Sequence, residues 1–600
     1  MKVPHLNETL RTLRARLLAE CTDAGCWRGE LSTSALATAT AVTALSLAGR
    51  EGDRQLMTGG LEWLVENQNT DGGWGDTPES PSNLSTTVLS WAAFAAAGRE
   101  ENRAADKARA WLERKIGDTQ PATLADAIVA SYGRDRTFSA PILAMAALTG
   151  RLGEGSNAWR RVPALPFELG VLSHRWLARL RLPVVSYALP ALIAIGRLRH
   201  HHLRPLNPLS RLIRRIAEPT VLRKLEHIQP ESGGFLEAQP LTAFVVMSLV
   251  ASDAGDHPAV ARGLRFLRDT VRPDGGWPID TDLSAWLTSL SVRALSAGGD
   301  FPPDFSPADR RTTRDWLLAC RHRRPHPYTQ APPGGWAWTD RSGGVPDADD
   351  TAAAMVALRL LDGGNPSCAE AADSAAAWLA GLQNRDGGIP TFCRGWGRLP
   401  FDRSAADLTA HAVAAWTAWP DLRTAGEANL QAALSYLAGN QRGDGAWLPL
   451  WFGNQHTTGQ ANPVYGTARV LTGLCSAADA GWDVSAMLRR GSDWLASDQR
   501  PDGGFGADTA GPTSLEETAV AVSALSAVAK RSNERPRLRE AAMRGAQWIV
   551  EHTDGGRTTP AAPIGLYFAR LWYCEKLYPL IFSVDALSRI AAVTAAGNDS

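Results

Sequence analysis

The phrase "LEWLVENQNTDGGWG" at residues 61 to 75 returns along the chain with its parts in one order: leucine or aromatic residues at helical spacing, then Gln in most copies, then a Gly-rich turn and an apolar residue, usually aromatic. It recurs as "LRKLEHIQPESGGF" (222 to 235), "LRFLRDTVRPDGGWP" (264 to 278), "AWLAGLQNRDGGIP" (377 to 390), "LSYLAGNQRGDGAW" (434 to 447) and "DWLASDQRPDGGFG" (493 to 506). A unit of this kind buries its apolar face only against neighbouring copies, so the chain must stack them. Between the copies, segments such as "ALATATAVTALSLAG" and "LEETAVAVSALSAVAK" carry apolar residues at helical spacing, and period-two runs are scarce. The expected fold is therefore nearly all-α. Helix pairs are joined by turns whose glycines permit positive φ. The Gln amide should bond backbone ends of adjacent helices, with the Trp stacked at the loop end. Trp74 and Trp447 close such phrases and read as structural. On this pattern alone, a solenoid or toroid without chemistry fits as well as an enzyme.

The 600 residues, 44% of them hydrophobic, suffice for more than one core. Basic and acidic residues balance at 62 each, which excludes the electrostatic footprint of a nucleic-acid binder. The seven cysteines are scattered without a CxxC pair, so they suggest reduced, intracellular residues rather than zinc or redox work. The stretch "MKVPHLNETLRTLRARLLAE" interleaves charge with leucine and lacks the apolar core of a secretory signal. The charge-free segment "LPVVSYALPALIAIG" (182 to 196) lies between Arg179 and Arg181 on one side and "RLRHHHLR" on the other. It is too short to span a bilayer. It reads either as a buried core helix or as a helix dipping into one leaflet with its basic flanks at the headgroups.

The segment "GGVPDADDTAAAMVALRLL" places Asp347, Asp349 and Asp350 at the head of an alanine-rich helix. One Asp as N-cap and two more facing the helix dipole would be an ordinary arrangement. Three exceed what capping needs. A second polar oddity, His411, stands among alanines in "DLTAHAVAAW" (407 to 416).

Together with the repeats, these residues resemble the squalene-hopene cyclase family of class II triterpene cyclases. The similarity extends to "VPALPFELGVLSHRWLARLRLPVVSYALPAL", which looks like the family's membrane-contacting and channel region. It extends also to "NPVYGTARVLTGL" and to "GLYFARLWYCEKLYPLIFSVDALSRI", which looks like an aromatic terminal helix. The resemblance implies two α/α barrels enclosing a hydrophobic cavity. Residues 1 to 20 would join the C-terminal barrel, 21 to 292 would form the inserted barrel with the membrane segment, and 293 to 600 the barrel carrying the Asp motif. It implies proton-initiated cyclisation with Asp349 as general acid, Asp347 and Asp350 around it, and His411 hydrogen-bonded to it. Asp407 would stand behind the His, and Tyr465 in a cluster that reprotonates the acid. Trp338, Trp286, Trp176, Phe392, Trp451 and Tyr567 match cavity residues that would hold carbocations by cation–π attraction, about 0.5 to 2 kcal/mol each.

An alkene is a feeble base, so the acid must keep its proton near neutral pH although an isolated Asp titrates near ~3.9. Burial and like-charged neighbours raise one carboxyl of a cluster, and a charged His411 would stabilise the carboxylate left behind. The segment after Trp451 is longer than the family pattern and that between Phe392 and Asp407 shorter. Leu571 and Cys574 stand where tyrosines are usual, which puts ring number and product in question. Squalene or a related polyprene is the expected partner, at the cytoplasmic face of the membrane, with a homodimer possible, no nucleic acid, no metal and no cofactor. The alternatives are a cyclase of prenyl diphosphates, which would call for basic residues and Mg²⁺, and a non-catalytic α-toroid that binds an isoprenoid.

Overall fold

The computed structural model describes residues 3–133, 137–180, 182, 184–422, 426–509, 511–531, 535–566 and 571–596. Mostly helical as expected, it builds two rings of inner helices, each wrapped by outer ones. Helix α1 spans Leu6–Ala19. The first ring comprises α2 (Ala35–Ala48), α3 (Leu84–Ala96), α4 (Ser139–Leu148), α5 (Val184–His202) and α6 (Gln239–Val250), each packed on the next and α6 on α2. The second comprises α7 (Ser284–Leu295), α8 (Ala348–Asp362), α9 (Ala406–Ala418), α10 (Pro463–Asp479), α11 (Leu515–Ala529) and α12 (Tyr578–Ala596), closed by contact of α12 with α7. Helix α1 lies against α12, outside this second ring. Helix α7 runs through residues 292 and 293, where the boundary between barrels was expected, and belongs wholly to the second ring.

The repeat phrase works through hydrogen bonds. Gln68, Gln229, Gln383, Gln441 and Gln499 each donate from Nε2 to the carbonyl four residues on, 2.8 Å away in every copy. The same amide reaches a carbonyl at the start of the next outer helix, as Gln383 does to Asn429 at 2.9 Å. The indole N–H supplies a further tie. In Trp74, Trp277 and Trp447 it donates to the carbonyl ten residues earlier at 2.7 to 2.8 Å, pinning the turn to the helix it leaves. Each buried Trp thereby adds a large apolar area and a satisfied donor.

Helix α5 contains the charge-free segment. Ser186, Tyr187, Leu189, Ile193, Ala194 and Ile195 are buried, so most of it is core. Among the described residues no helix is long and apolar enough to cross a membrane. Apolar exposure sits on the following helix, Pro208–Ile228, where Leu209, Leu212, Ile213 and Ile216 follow the spacing of one helical face and stay 47 to 68% exposed.

The expected aromatic terminal helix is split. Short strands β1 (Thr33–Ser34) and β2 (Trp277–Pro278) pair in the first half, and β3 (Phe452–Gly453), β4 (Ile564–Leu566) and β5 (Leu571–Tyr573) form a small antiparallel sheet in the second. Only from Tyr578 onward does the C-terminal segment become helix. The long segment after Trp451 thus supplies β3, which holds the C-terminal hairpin.

Candidate active site

Helix α8 starts where Asp347 caps it, accepting from the Asp350 backbone N–H at 2.9 Å. One Asp is therefore an N-cap. The other two occupy the first turn, and none of the three is solvated: Asp347 and Asp350 are buried, and Asp349 keeps 15% of its side-chain surface. The Asp349 carboxyl meets Nδ1 of His411 on α9 in a short contact. Nε2 of His411 is buried without a hydrogen-bond partner, and among the described residues Asp349 is thus the one hydrogen-bonding neighbour that orients the ring.

Asp407, on the first turn of α9, makes no hydrogen bond to the imidazole. Its carboxylate accepts from the Leu450 backbone N–H, 3.3 Å from each oxygen, because the turn after Trp447 brings that donor to the helix end. Burial, followed by the charge of Asp349, pushes Asp407 up to about 7. Burial likewise raises Asp347 to about 7, and it raises Asp350 well above its usual value, with the Asp347 and Asp349 charges adding to it. Asp347, Asp350 and Asp407 thus sit with Asp349 in one site where burial favours the protonated form of all three.

Tyr465, on the first turn of α10, stacks on Phe452 with centroids 4.6 Å apart. Burial raises its hydroxyl, and no hydrogen bond joins it to Asp349 or Asp407. Trp286 lies 6.2 Å from the His411 ring and donates from Nε1 to the Tyr578 hydroxyl at 3.1 Å. The Trp338 carbonyl accepts from the N–H groups of Ala285 and Trp286, binding its loop to the head of α7. A second aromatic group contains Phe392, Trp451, Phe401 and Tyr187, with Phe392 5.8 Å from Trp451 and 5.1 Å from Tyr187. Tyr187 belongs to α5 and donates to the Phe392 carbonyl at 3.1 Å, so this group joins the two rings.

Trp176 does not join either group. It is 57% exposed, with the Arg179 guanidinium 5.8 Å above its ring, because the short helix His174–Arg179 lies at the surface. Tyr567 lies outside the described residues. Trp74 and Trp447 are fully buried in their turns.

Several wall residues carried no separate signal in the sequence: Phe452, Tyr573, Tyr578 and Tyr187. Another omission was legible. Glu516 and Glu517 head α11 within "LEETAVAVSAL", the same acid-then-alanine pattern as the Asp motif. Both are buried, and burial, with Glu517 next, pushes Glu516 up to about 8. Glu517 is held by the amides of Asn454 and Asn462. No group of three His, Cys, Asp or Glu side chains among the described residues is placed to hold a metal ion.

The family model described as the squalene-hopene cyclase C-terminal domain matches residues 283–591, and that of the N-terminal domain matches residues 10–146. The chain is 26% identical to a squalene–hopene cyclase of Alicyclobacillus acidocaldarius over 98% of each chain. It is 28% identical to a drimenyl diphosphate synthase of Streptomyces showdoensis, over 61% of this chain and 60% of that one. A terpene cyclase–glycosyl transferase fusion protein of Humicola fuscoatra is 26% identical over 88% of this chain, which spans only 45% of the fusion's length.

Proposed function

Since the chain belongs to the squalene-hopene cyclase family of class II terpene cyclases, we propose that Asp349 protonates the terminal alkene of squalene or a related polyprene and so starts its polycyclisation. The observation that carries the proposal is the Asp349–His411 contact inside a cluster of buried carboxyls, walled by Trp286, Phe452, Tyr465 and Tyr578.

The alkene π pair takes the Asp349 proton to form a C–H bond and leaves a tertiary cation. Internal alkenes close rings by attacking it in turn, and loss of a proton or capture of water ends the sequence. Neighbouring Asp347, Asp350 and Asp407, with carboxyls raised by burial, keep the site protonated near neutral pH. His411 stabilises the carboxylate formed when the proton leaves, which reconciles proton retention with acid strength. Asp407 acts through the field it adds, not as a hydrogen-bonded orienter of His411. Tyr465 stands at the aromatic wall, from which protons can return to the acid through water. Trp338, Trp286, Phe392 and Trp451 face the cations, while Trp176 serves outside the cavity.

For domain organisation we place α1 with the second barrel, the inserted barrel from residue 21 to about 283, and the catalytic barrel from α7 onward. The exposed stripe of Leu209, Leu212, Ile213 and Ile216, with Leu206 at 93% exposure and Trp176 nearby in sequence, is the surface we assign to lipid contact, the side from which a polyprene enters.

The test is incubation of detergent-solubilised protein with squalene, and in parallel with farnesyl and geranylgeranyl diphosphates. The likeness to a drimenyl diphosphate synthase makes prenyl diphosphates the second substrate class. A cyclic product made by the wild type and lost in Asp349→Asn, read by gas chromatography and mass spectrometry, supports the assignment. Undiminished product from the variant refutes Asp349 as the acid.

A further inference from the structure

Inside the second ring, the inner helices carry charge that the acid chemistry leaves unused. Arg293 on α7, Arg469 on α10, and Asp585 and Arg589 on α12 line a cavity of about 20 Å³, with Ser523 of α11 and the Phe582 ring. One of the three guanidinium charges is compensated. Asp585 pairs with Arg589 at 3.1 Å and accepts from the Ser523 hydroxyl, and although burial works against it, Arg589 holds this carboxyl below its usual range.

Among the described residues the other two guanidiniums make no direct ion pair, although the Asp585 charge also reaches Arg293. Neither Arg293 nor Arg469 makes an ion pair with a carboxylate among the described residues. Arg469 lies over the rings of Tyr465 and Phe582, 4.8 Å from each, and its Nε and Nη2 are buried without hydrogen bonds. Burial, and after it the charge of Arg469, pushes Arg293 down to about 10. Three guanidiniums against one carboxylate leave an excess of positive charge around this cavity, and guanidinium N–H groups in low dielectric bind an anion strongly. The cavity has room for a halide ion.

We propose that this cavity binds a single monatomic anion of the chloride class, held by Arg293, Arg469 and Arg589. The bound anion thereby contributes to the stability of the barrel.

The experiment needs no substrate, and its outcome is therefore independent of the cyclase assignment. Thermal unfolding of the full chain is compared in sodium chloride and sodium gluconate at equal ionic strength, and crystals grown in sodium bromide are examined for anomalous scattering. Expected are a midpoint higher by several degrees in chloride and a bromide peak between the three guanidiniums. Arg469→Met and Arg293→Leu should each lose the chloride-specific rise. Equal wild-type midpoints in the two salts, a rise retained by both variants, or a cavity holding only water in the bromide crystals would each overturn the proposal. Should a variant fail to fold, the bromide peak decides.

Discussion

Replacing Asp407 by Asn should alter the pH dependence of stability in a way that follows from burial alone. In the folded protein Asp407 is 2% exposed and titrates at about 7, whereas in the unfolded chain an Asp titrates near ~3.9. Below about pH 4 both states hold the proton, and the residue contributes no pH dependence. From about pH 4 to about pH 7 only the folded state holds it, so wild-type stability falls by roughly 1.4 kcal/mol per pH unit, or about 4 kcal/mol in all. Above that window the loss is complete. Asn cannot ionise, and its side-chain oxygen can still accept from the Leu450 N–H. The advantage of Asp407→Asn over the wild type should therefore grow by about 4 kcal/mol across this window. Equilibrium urea unfolding followed by tryptophan fluorescence, in steps from about pH 4 to about pH 8, reads it directly. Because the Asp349 charge is the second cause of the shift, the same substitution in an Asp349→Asn background should give a smaller growth. A difference that stays constant with pH would refute the reasoning and show that the carboxyl is ionised throughout.

Three further outcomes are expected. His411→Phe keeps ring volume and removes the contact to Asp349, so turnover should fall by about 10² or more with little change in thermal midpoint; turnover within a few-fold of wild type would remove His411 from the acid. Gln383→Ala strands the carbonyls of Gly387 and Asn429 and the Asn429 amide, which should cost about 2 to 4 kcal/mol in unfolding experiments; Asn429→Ala, losing one of these bonds, should cost about 1. Serine at Leu209, Leu212 and Ile216 together should cut co-sedimentation with phosphatidylglycerol vesicles tenfold or more, and unchanged sedimentation would exclude this helix as the lipid-contacting surface.

The repeat phrase was legible because its chemistry is local: Gln, Gly and Trp act within one turn and its neighbour, and their spacing is printed in the chain. Asp347, Asp349 and Asp350 were legible because a helix needs one cap and received three acids. The Asp349–His411 contact came from family resemblance, since 62 residues separate the two and nothing local brings them together. Other placements depend on position in space, which local sequence does not carry. Asp407 is one helical turn from His411, yet a backbone N–H from another segment claims its carboxylate. Trp176 fits a motif, but the short helix carrying it lies at the surface. The 182 to 196 segment and the Pro208–Ile228 helix are both rich in apolar residues, and only packing reveals that the first is core and the second exposed. Arg293 and Arg469 did carry a signal: the first is the one charge of α7, and the second shares α10 only with Asp479 at its end, among otherwise small and apolar residues.

The seating of α1 against α12 also bears on how the molecule is made. Arg14 donates to the Ser588 hydroxyl across 574 residues of sequence. At a synthesis rate of about 5 to 20 residues per second, the first helix waits on the order of half a minute to two minutes for its partner. Its apolar face, with Leu6, Leu10, Leu13 and Leu17, stays uncovered on the ribosome for that time, while the first ring between them can already close. The acid cluster takes its low-dielectric surroundings from a ring that only α12 completes. Proton-holding carboxyls are thus among the last features a nascent chain acquires, and a chain stalled before α12 would carry the Asp motif without the burial that makes it an acid.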